Sequence, residues 1–196
     1  YQVQSVAALN IQFYGFNERK APFNDVRVRR AFSLAVDRES LVDTVLNGLG
    51  VPARHGIVAP GFADYPYDTV PATSYDPALA RKLLAEAGYP GGQDFPSVHL
   101  QVNSDGSGYI RVASTVQEML ARNLGVRVAT TVLPSQQHYA RVEQGLAEFW
   151  REGWIVDHPD PENFLALFYG KSVPADTSQP SYLNSTRYTD TLYDRL

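Results

Sequence analysis

The chain has 196 residues, of which 44% are hydrophobic and 19% are charged, a balance that is ordinary for a protein with a folded core. Its length suits one large domain or two small ones. A formal net charge of −4 argues against a nucleic-acid or membrane-surface role, because both favour basic patches. No apolar run approaches the roughly 20 residues of a membrane-spanning helix. The absence of cysteine excludes disulfides, thiolate zinc sites and a cysteine nucleophile.

The first part of the chain is predicted to contain a strand, two helices and a long loop. Residues 1–16 are largely apolar with few breakers, which indicates extended chain. Asn24 or Asp25 is the candidate N-cap of one helix, and Asp37 is the candidate N-cap of a second. Residues 51–75 are rich in Pro, Gly, Asp and Tyr and show no periodicity, so we predict a long irregular loop there.

The clearest predicted helix lies in the sequence DPALARKLLAEAGYP. Asp76 is placed to cap it, Pro77 occupies the first helical position, and Gly88 is placed to end it. The next run, SVHLQV at residues 97–102, alternates apolar and polar side chains as a strand does. A glycine-containing turn, SDGSG, then leads into a helix that is predicted over about 109–122.

The last part of the chain alternates strand and helix again. Strands are predicted over residues 126–133 and 148–156, with a short helix between them that Ser135 caps. Another helix is predicted over about 161–169, and a final one begins near Asp190. Because strands and helices alternate, the sequence predicts an α/β fold with at least partly parallel strands. The final helix reaches the chain end with an unused apolar face, so we expect the chain to be part of something longer.

The stretch GWIVDHPDPENFL contains a candidate functional carboxylate. Its apolar strand stops at Asp157, and in open α/β sheets ligands bind beyond the carboxyl ends of strands. A carboxylate there can form a strong charge-assisted hydrogen bond with a ligand ammonium. Alternatively, Asp157 forms an Asx turn before Pro159 and needs no ligand. Asp160 is most simply an N-cap, and Glu162 lies in a first helical turn, where the helix dipole favours an acid.

Three further candidates lie on the last predicted strand. Trp150 and Trp154 are four residues apart, so they face the same side and together form an apolar wall. Both suit a core, and Trp154, which is nearer the strand end, is the better pocket candidate. Arg151 faces the opposite way and can meet a ligand carboxylate, although an ion pair with Glu148 or Glu152 is the simpler interpretation.

The sequence gives little support to catalysis. Its four histidines are scattered, and no His-x-Glu, His-Glu-x-x-His or Gly-x-Ser-x-Gly pattern is present. A paired-carboxylate hydrolase that uses Asp157 and Asp160 is a formal alternative, yet nothing in the sequence favours it. The SDGSGY segment lacks the Lys-Ser/Thr ending of a phosphate-binding loop, and its Tyr109 is a candidate ligand contact at a helix start. We therefore predict no catalytic residue, no metal site and no cofactor.

Several segments resemble one protein family in their order and spacing. They are PFNDVRVRRAFSLAVDRESLVDTVLNG, DPALARKLLAEAGYPGG, MLARNLGVRV, GWIVDHPDPENFL and YTDTLYDRL. This pattern is similar to that of the family 5 extracellular solute-binding proteins, which include the dipeptide- and oligopeptide-binding proteins of ABC importers. The resemblance extends from about Phe13 to Leu196, and its most specific block runs from Pro22 to Gly48.

The resemblance implies a two-lobed binding protein of the periplasmic type II fold that closes on its ligand without catalysis. Residues 1–196 would form a single α/β lobe, most of the C-terminal one, with a mixed sheet flanked by helices. The N-terminal lobe and the final return segment of the family would lie outside it. The implied protein is a periplasmic or extracellular monomer, and its full-length form can carry a lipid anchor. Its implied partners are a peptide and the membrane permease subunits of an ABC transporter, and not nucleic acid.

The resemblance also implies roles for four residues. In peptide-binding members, a strand that ends in Trp-x-x-Asp supplies an aspartate that pairs with the peptide α-ammonium, and Trp154 and Asp157 resemble that pattern. Arg151 resembles a position that helps to neutralise the peptide carboxylate in some members. Tyr109 resembles a ligand-facing position at a helix start. The family also includes binders of nickel complexes, haem and sugars, so these ligands are the alternatives.

Overall fold

The computed structural model describes residues 8–195, so the predicted extended segment at the start of the chain is described only from Ala8 onward. Within that range, four β-strands alternate with six α-helices and several short 3-10 turns. The strands are β1 (Asn10–Phe16), β2 (Val98–Asn103), β3 (Val128–Leu133) and β4 (Phe149–Ile155). The helices are α1 (Val26–Leu34), α2 (Arg38–Thr44), α3 (Pro77–Glu86), α4 (Ser107–Leu124), α5 (Ser135–Glu143) and α6 (Glu162–Leu165).

The four strands form one mixed sheet in the order β1-β4-β2-β3. Strand β4 pairs antiparallel with β1 and parallel with β2, and β2 pairs parallel with β3. Helix α4 connects β2 to its parallel neighbour β3, and helix α5 connects β3 to β4, which lies on the other side of β2 and is parallel to it as well. The predicted α/β class, with a mixed sheet flanked by helices, is confirmed.

Three aspartates begin helices where the sequence predicts them. Asp25, Asp37 and Asp76 precede α1, α2 and α3. Each carboxylate accepts a hydrogen bond from a backbone N–H of the first turn, at 2.8, 3.1 and 2.9 Å respectively. These N–H groups have no partner within the helix, so each cap typically stabilises the fold by about 1 kcal/mol. The open choice between Asn24 and Asp25 is thereby settled in favour of Asp25.

The end of α4 requires glycine for two reasons. Gly125 has a φ of 73°, in the left-handed region that other residues seldom adopt, and its N–H bonds the carbonyl of Ala121. A side chain at this position would also collide with the carbonyl of Gly91 in the loop after α3. The close approach of these two loops seats α4 against α3.

The main core lies on one face of the sheet and fixes β4 in place. Phe149 of β4 stacks on Phe16 of β1 with ring centroids 4.9 Å apart, and Phe32 of α1 meets it edge-on at 5.8 Å. Helices α1, α3 and α4 complete this core with buried aliphatic side chains, including Leu84 and Leu120. Burying each such side chain contributes about 1.5–3 kcal/mol, so the position of β4 is strongly determined.

Two smaller clusters cover the opposite face, and they separate the two tryptophans. Trp150 is 1% exposed and packs in a cluster with Val142 and Ala147. Trp154 is partly buried and packs against a second cluster, whose buried members are Val58, Ala59 and Phe164. Core placement is therefore confirmed for Trp150, and the two tryptophans share one face of β4 but pack in separate clusters instead of forming one wall. The second cluster also attaches the irregular loop 51–75 to the sheet.

The predicted start of α5 is wrong in one respect. Ser135 is the first residue of the helix rather than its cap, and Pro134 occupies the N-cap position without a side-chain hydrogen bond. The Ser135 hydroxyl donates instead to the carboxylate of Asp105, and it accepts a hydrogen bond from Asn103 at 3.2 Å. Ser135 therefore joins the start of α5 to the end of β2.

The last two predicted helices are shorter than expected. The helix predicted over 161–169 is the single turn of α6, followed by 3-10 turns at Ala166–Phe168 and Gly170–Ser172. The carboxylate of Asp190 accepts hydrogen bonds from two following N–H groups, at 2.7 and 2.9 Å, as a cap would. Only the 3-10 turn Tyr193–Arg195 follows it within the described residues.

Candidate functional site

Strand β4 extends beyond its neighbour β2 and leaves one edge open. Its pairing with β1 continues to Ile155, which lies opposite Asn10. Its pairing with β2 ends at Trp150, which lies opposite Gln101. From Arg151 onward, no strand of the described chain covers the edge of β4 that is directed toward β2. This edge lies at the carboxyl end of the parallel strands, where ligands bind in open α/β sheets.

The backbone groups of this open edge belong to Gly153 and Ile155. In an antiparallel pair, alternate residues direct both backbone polar groups at the partner strand. The carbonyl of Glu148 accepts a hydrogen bond from the N–H of Asn17 at 3.0 Å, so the even-numbered residues of β4 face β1. The odd-numbered residues therefore face the other way. Among them, the Arg151 carbonyl already bonds a histidine of α5, whereas Gly153 and Ile155 present their N–H and C=O groups to the open edge.

Arg151 and Tyr109, both predicted as site residues, lie in contact. The guanidinium carbon of Arg151 lies 3.5 Å from the centroid of the Tyr109 ring at the start of α4. The Nη1 atom of Arg151 also donates to Oδ1 of Asn103 at 3.2 Å. Because Arg151 is only 5% exposed, its contact with the ring is largely desolvated, and such contacts stabilise by about 2 kcal/mol. The guanidinium is thereby fixed beside the open edge of β4.

The predicted ion pair of Arg151 with a neighbouring glutamate is wrong for the described chain. None of the ion pairs within residues 8–195 includes Arg151. Oε1 of Glu148 accepts a hydrogen bond from the N–H of His99 at 2.9 Å instead. Glu152 lies on the opposite face of the strand, where its Oε2 accepts a hydrogen bond from Trp150. The buried Nε of Arg151 has no partner within residues 8–195, whereas Nη2 takes part in none of their hydrogen bonds and is not fully buried, so Nη2 can donate to an anionic group.

Asp157 follows the end of β4 in a loop that one asparagine organises. Oδ1 of Asn163 accepts hydrogen bonds from Nε1 of Trp154 at 2.7 Å and from the N–H of Asp157 at 3.4 Å. The carboxylate of Asp157 is exposed and accepts no hydrogen bond from the residues that the structure describes, so the Asx-turn alternative does not apply. Asn163 is a positioning residue that the sequence alone did not reveal, because nothing in its spacing marks it.

The site therefore has a cationic and an anionic end. The strand from Arg151 to Ile155 spans roughly 13 Å at about 3.3 Å per residue. The guanidinium lies at its beginning and the carboxylate of Asp157 lies beyond its end. Between them are the backbone groups of Gly153 and Ile155, which no strand within residues 8–195 pairs on this edge. Such an arrangement can hold an extended ligand that carries an anionic group at one end and a cationic group at the other.

A buried histidine closes the inner end of the open edge. His138 of α5 is fully buried, and its Nε2 lies 3.0 Å from the carbonyl of Arg151. Because a carbonyl only accepts, Nε2 carries the proton, and Nδ1 accepts a hydrogen bond from Nε2 of Gln101 at 3.1 Å. Gln101 is held in turn by Nε of Arg141, which donates to its Oε1 at 3.0 Å. Burial lowers the pKa of His138, and the nearby charge of Arg151 lowers it further.

The lowered pKa of His138 predicts a loss of stability in acid. The unfolded chain takes up a proton at this histidine below a pH of about 6.5, while the folded chain resists doing so. The free energy of unfolding should therefore decrease as the pH falls from about 6.5 to the folded pKa of His138. One proton contributes at most about 1.4 kcal/mol per pH unit.

Urea unfolding between pH 8 and pH 5 tests this expectation when the parent is compared with His138→Gln. The glutamine amide can donate to the Arg151 carbonyl and accept from Gln101, but it does not titrate. The stability difference between the parent and the variant should shrink as the pH falls. A difference that stays constant across this range would contradict the assignment of His138.

Asp160 has a structural role at the start of α6, and the described acids and histidines form no metal site. Oδ1 of Asp160 accepts a hydrogen bond at 2.8 Å from the N–H of Glu162, the first residue of α6, while Pro161 occupies the N-cap position between them. Within residues 8–195, no group of three or more His, Cys, Asp or Glu side chains could hold a metal ion. In the same range, none of the helices combines the length and hydropathy that a membrane crossing requires.

Comparison with known proteins adds independent information. Residues 1–176 match the family model of the bacterial extracellular solute-binding proteins, family 5 Middle. Heme-binding protein A of Haemophilus influenzae is 31% identical over 94% of this chain and 33% of its own length. The structure of a periplasmic oligopeptide-binding protein from Borrelia burgdorferi matches with a TM-score of 0.82 and 31% identity, over 96% of this chain and 35% of that one. DppA of Helicobacter pylori, in complex with the peptide STSA, gives a TM-score of 0.83 and 25% identity with the same coverage.

The mixed sheet and its open strand edge, together with these matches, define part of an α/β solute-binding protein of the periplasmic kind. The chain belongs to family 5 of the bacterial extracellular solute-binding proteins. The resemblance predicted from the sequence is thus confirmed. The chain spans about a third of the length of each of these three relatives.

Proposed function

We propose that this chain supplies part of the ligand site of a peptide-binding protein that serves an ABC importer. The observation that carries the proposal is the open edge of β4. Gly153 and Ile155 present unpaired backbone groups there, between the guanidinium of Arg151 and the carboxylate of Asp157. The peptide-binding relatives from Borrelia burgdorferi and Helicobacter pylori support the same reading.

In the proposed complex, a peptide adds to the edge of β4 as an extra strand. Its α-ammonium pairs with Asp157, and its carboxyl end points toward Arg151 and Tyr109, so it runs antiparallel to β4. Backbone hydrogen bonds to Gly153 and Ile155 provide affinity that is independent of the peptide side chains, as in other cases of strand addition. The partly buried ring of Trp154 offers an apolar surface next to the ammonium end.

The whole protein is proposed to be larger than this chain. Residues 1–196 form one lobe, most of the C-terminal one, and a second lobe closes on the other side of the peptide. The protein acts as a monomer outside the cytoplasmic membrane, periplasmic or lipid-anchored, and delivers its ligand to membrane permease subunits. It binds the peptide without transforming it. The family description as extracellular and solute-binding supports this location and role.

Native mass spectrometry of the gently purified full-length protein tests the proposal, because tightly bound ligands survive such purification. We expect co-purified peptides, and we expect calorimetry to show binding of di- and tripeptides. Because the Haemophilus influenzae relative is named as a heme-binding protein, haem is the main alternative ligand. Retention of haem with no peptide binding would overturn the proposal, and release of peptide fragments over time would overturn the claim that no catalysis occurs.

A further inference from the structure

Glu152 is a partly buried carboxylate beside the open edge, and no cation neutralises it within the described chain. Its Oε2 accepts hydrogen bonds from Nε1 of Trp150 at 2.7 Å and from Oγ of Ser185 at 3.0 Å. The ion pairs of residues 8–195 include no lysine or arginine partner for it. Burial raises the pKa of Glu152. The charge of Arg151 offsets this only in part, and a partly buried acid without an ion-pair partner favours any cation that can reach it.

The second carboxylate oxygen of Glu152 is available. Oε1 accepts no hydrogen bond from the described residues, and it is absent from their fully buried, unpartnered atoms, so it retains contact with solvent. Side chains alternate along a strand, so Glu152 shares a face with Trp154, and Arg151 lies on the other face. Glu152 is thus aimed away from the guanidinium and toward the face of the sheet that carries the indole of Trp154.

The register of a peptide on the open edge decides which of its side chains reach this face. If Ile155 pairs with the first residue of an antiparallel peptide, Gly153 pairs with the third, since hydrogen-bonded pairs alternate. The second residue then lies opposite Trp154, on the same face, and diagonal to Glu152. Diagonal neighbours on adjacent strands are about 7–8 Å apart, within reach of a long side chain. The first and third side chains project to the face of Arg151.

We propose that Glu152 is a specificity-determining residue that selects peptides with a cationic side chain at the second position. The inference rests on the proposed peptide-binding function. A lysine at this position lays its aliphatic stem along Trp154 and brings its ammonium to Oε1 of Glu152. A lysine at the third position gains nothing from Glu152, because it projects toward the guanidinium of Arg151.

The purely structural alternative is that Glu152 only holds Trp150 and Ser185 in place. Glu152→Gln separates the two roles, because the amide oxygen of glutamine can accept both hydrogen bonds but carries no charge. The fold and the neutral part of the peptide site should then be preserved in the variant. An unchanged unfolding midpoint for Glu152→Gln would show that the fold is preserved, so that a change in peptide affinity reports the lost charge alone.

Calorimetry on the full-length protein with three peptides tests the proposal: Ala-Lys-Ala, its isomer Ala-Ala-Lys, and neutral Ala-Met-Ala. We expect the parent to bind Ala-Lys-Ala about tenfold or more tightly than either of the others, the gain typical of a hydrogen bond between charged groups. Glu152→Gln should abolish this preference and bind Ala-Met-Ala as the parent does. A parent without the preference, or a variant that keeps it, would overturn the assignment of Glu152. Failure of all three peptides to bind would instead overturn the proposed function, and this inference with it.

Discussion

Asp157→Asn in the full-length protein is expected to weaken the binding of a free-amine tripeptide by about 1.5–3 kcal/mol, the range for a hydrogen bond to a charged group. The substitution preserves the shape of the side chain and removes the charge that pairs with the ammonium. The loop should not change, because it is held by Asn163, which bonds the Asp157 backbone and the Trp154 ring. The effect should therefore appear in affinity and not in folding.

Calorimetry with the tripeptide and its N-acetylated form measures how much the α-ammonium group contributes to the affinity. The parent should favour the free amine strongly, and Asp157→Asn should lose most of that preference while binding the acetylated peptide as before. Asp160→Asn is the matched control, since Asp160 accepts a hydrogen bond from the Glu162 N–H at the start of α6 and should not contact the ligand. Equal discrimination between the two peptides by the parent and Asp157→Asn would show that Asp157 is not the anchor.

Helix starts in this chain could be predicted because capping is a local interaction. Asp25, Asp37 and Asp76 bond N–H groups two or three residues ahead, so the signal lies within one short window of sequence. Ser135 shows how the same rule fails. Its hydroxyl accepts from Asn103 and donates to Asp105, and these residues, about 30 positions away in sequence, come near only when the sheet forms. Local patterns cannot anticipate such competition.

The residues of the candidate site also fall into two groups: those that one short motif reveals, and those that only the fold brings together. Trp154 and Asp157 belong to one short motif, so they could be proposed together from the sequence. Tyr109 and Arg151 were proposed separately, and their stacking depends on the placement of α4 over the end of β4. His138 has no signal in the sequence, because its bond to the Arg151 carbonyl joins a helix to a strand that lies 13 residues further along the chain.

The open edge itself has no signature in the sequence. It exists because β4 continues along β1 to Ile155 while its pairing with β2 stops at Trp150. The sequence predicts both strands nearly at their observed lengths, but strand lengths alone do not give the register between them. Neighbouring strands of adequate length can pair fully or diverge, and side-chain packing around Arg151 and Asn103 accompanies the divergence here.

The chain on its own should fold yet bind peptides weakly, with a dissociation constant of about 1 mM or larger, equivalent to about 4 kcal/mol. Its main core and two smaller clusters are formed within the described residues, so folding does not require another lobe. A ligand on the open edge alone would leave its other face in water. The hydrogen-bonding and apolar contributions would be reduced, while most of the entropic cost of immobilising the ligand would remain.

Tryptophan fluorescence can follow this binding because the two indoles differ in environment. Trp150 is 1% exposed and should respond little, whereas partly exposed Trp154 lies beside the proposed ammonium site and should report the ligand. The isolated chain and the full-length protein should be titrated with the same tripeptide, with calorimetry as an independent check. Tight binding by the full-length protein and millimolar binding by the chain are expected, because in the proposed two-lobed protein a second lobe covers the open edge and Ile155, which is exposed here. Micromolar binding by the isolated chain would mean that the complete site lies within these 196 residues, and the two-lobed arrangement would be wrong.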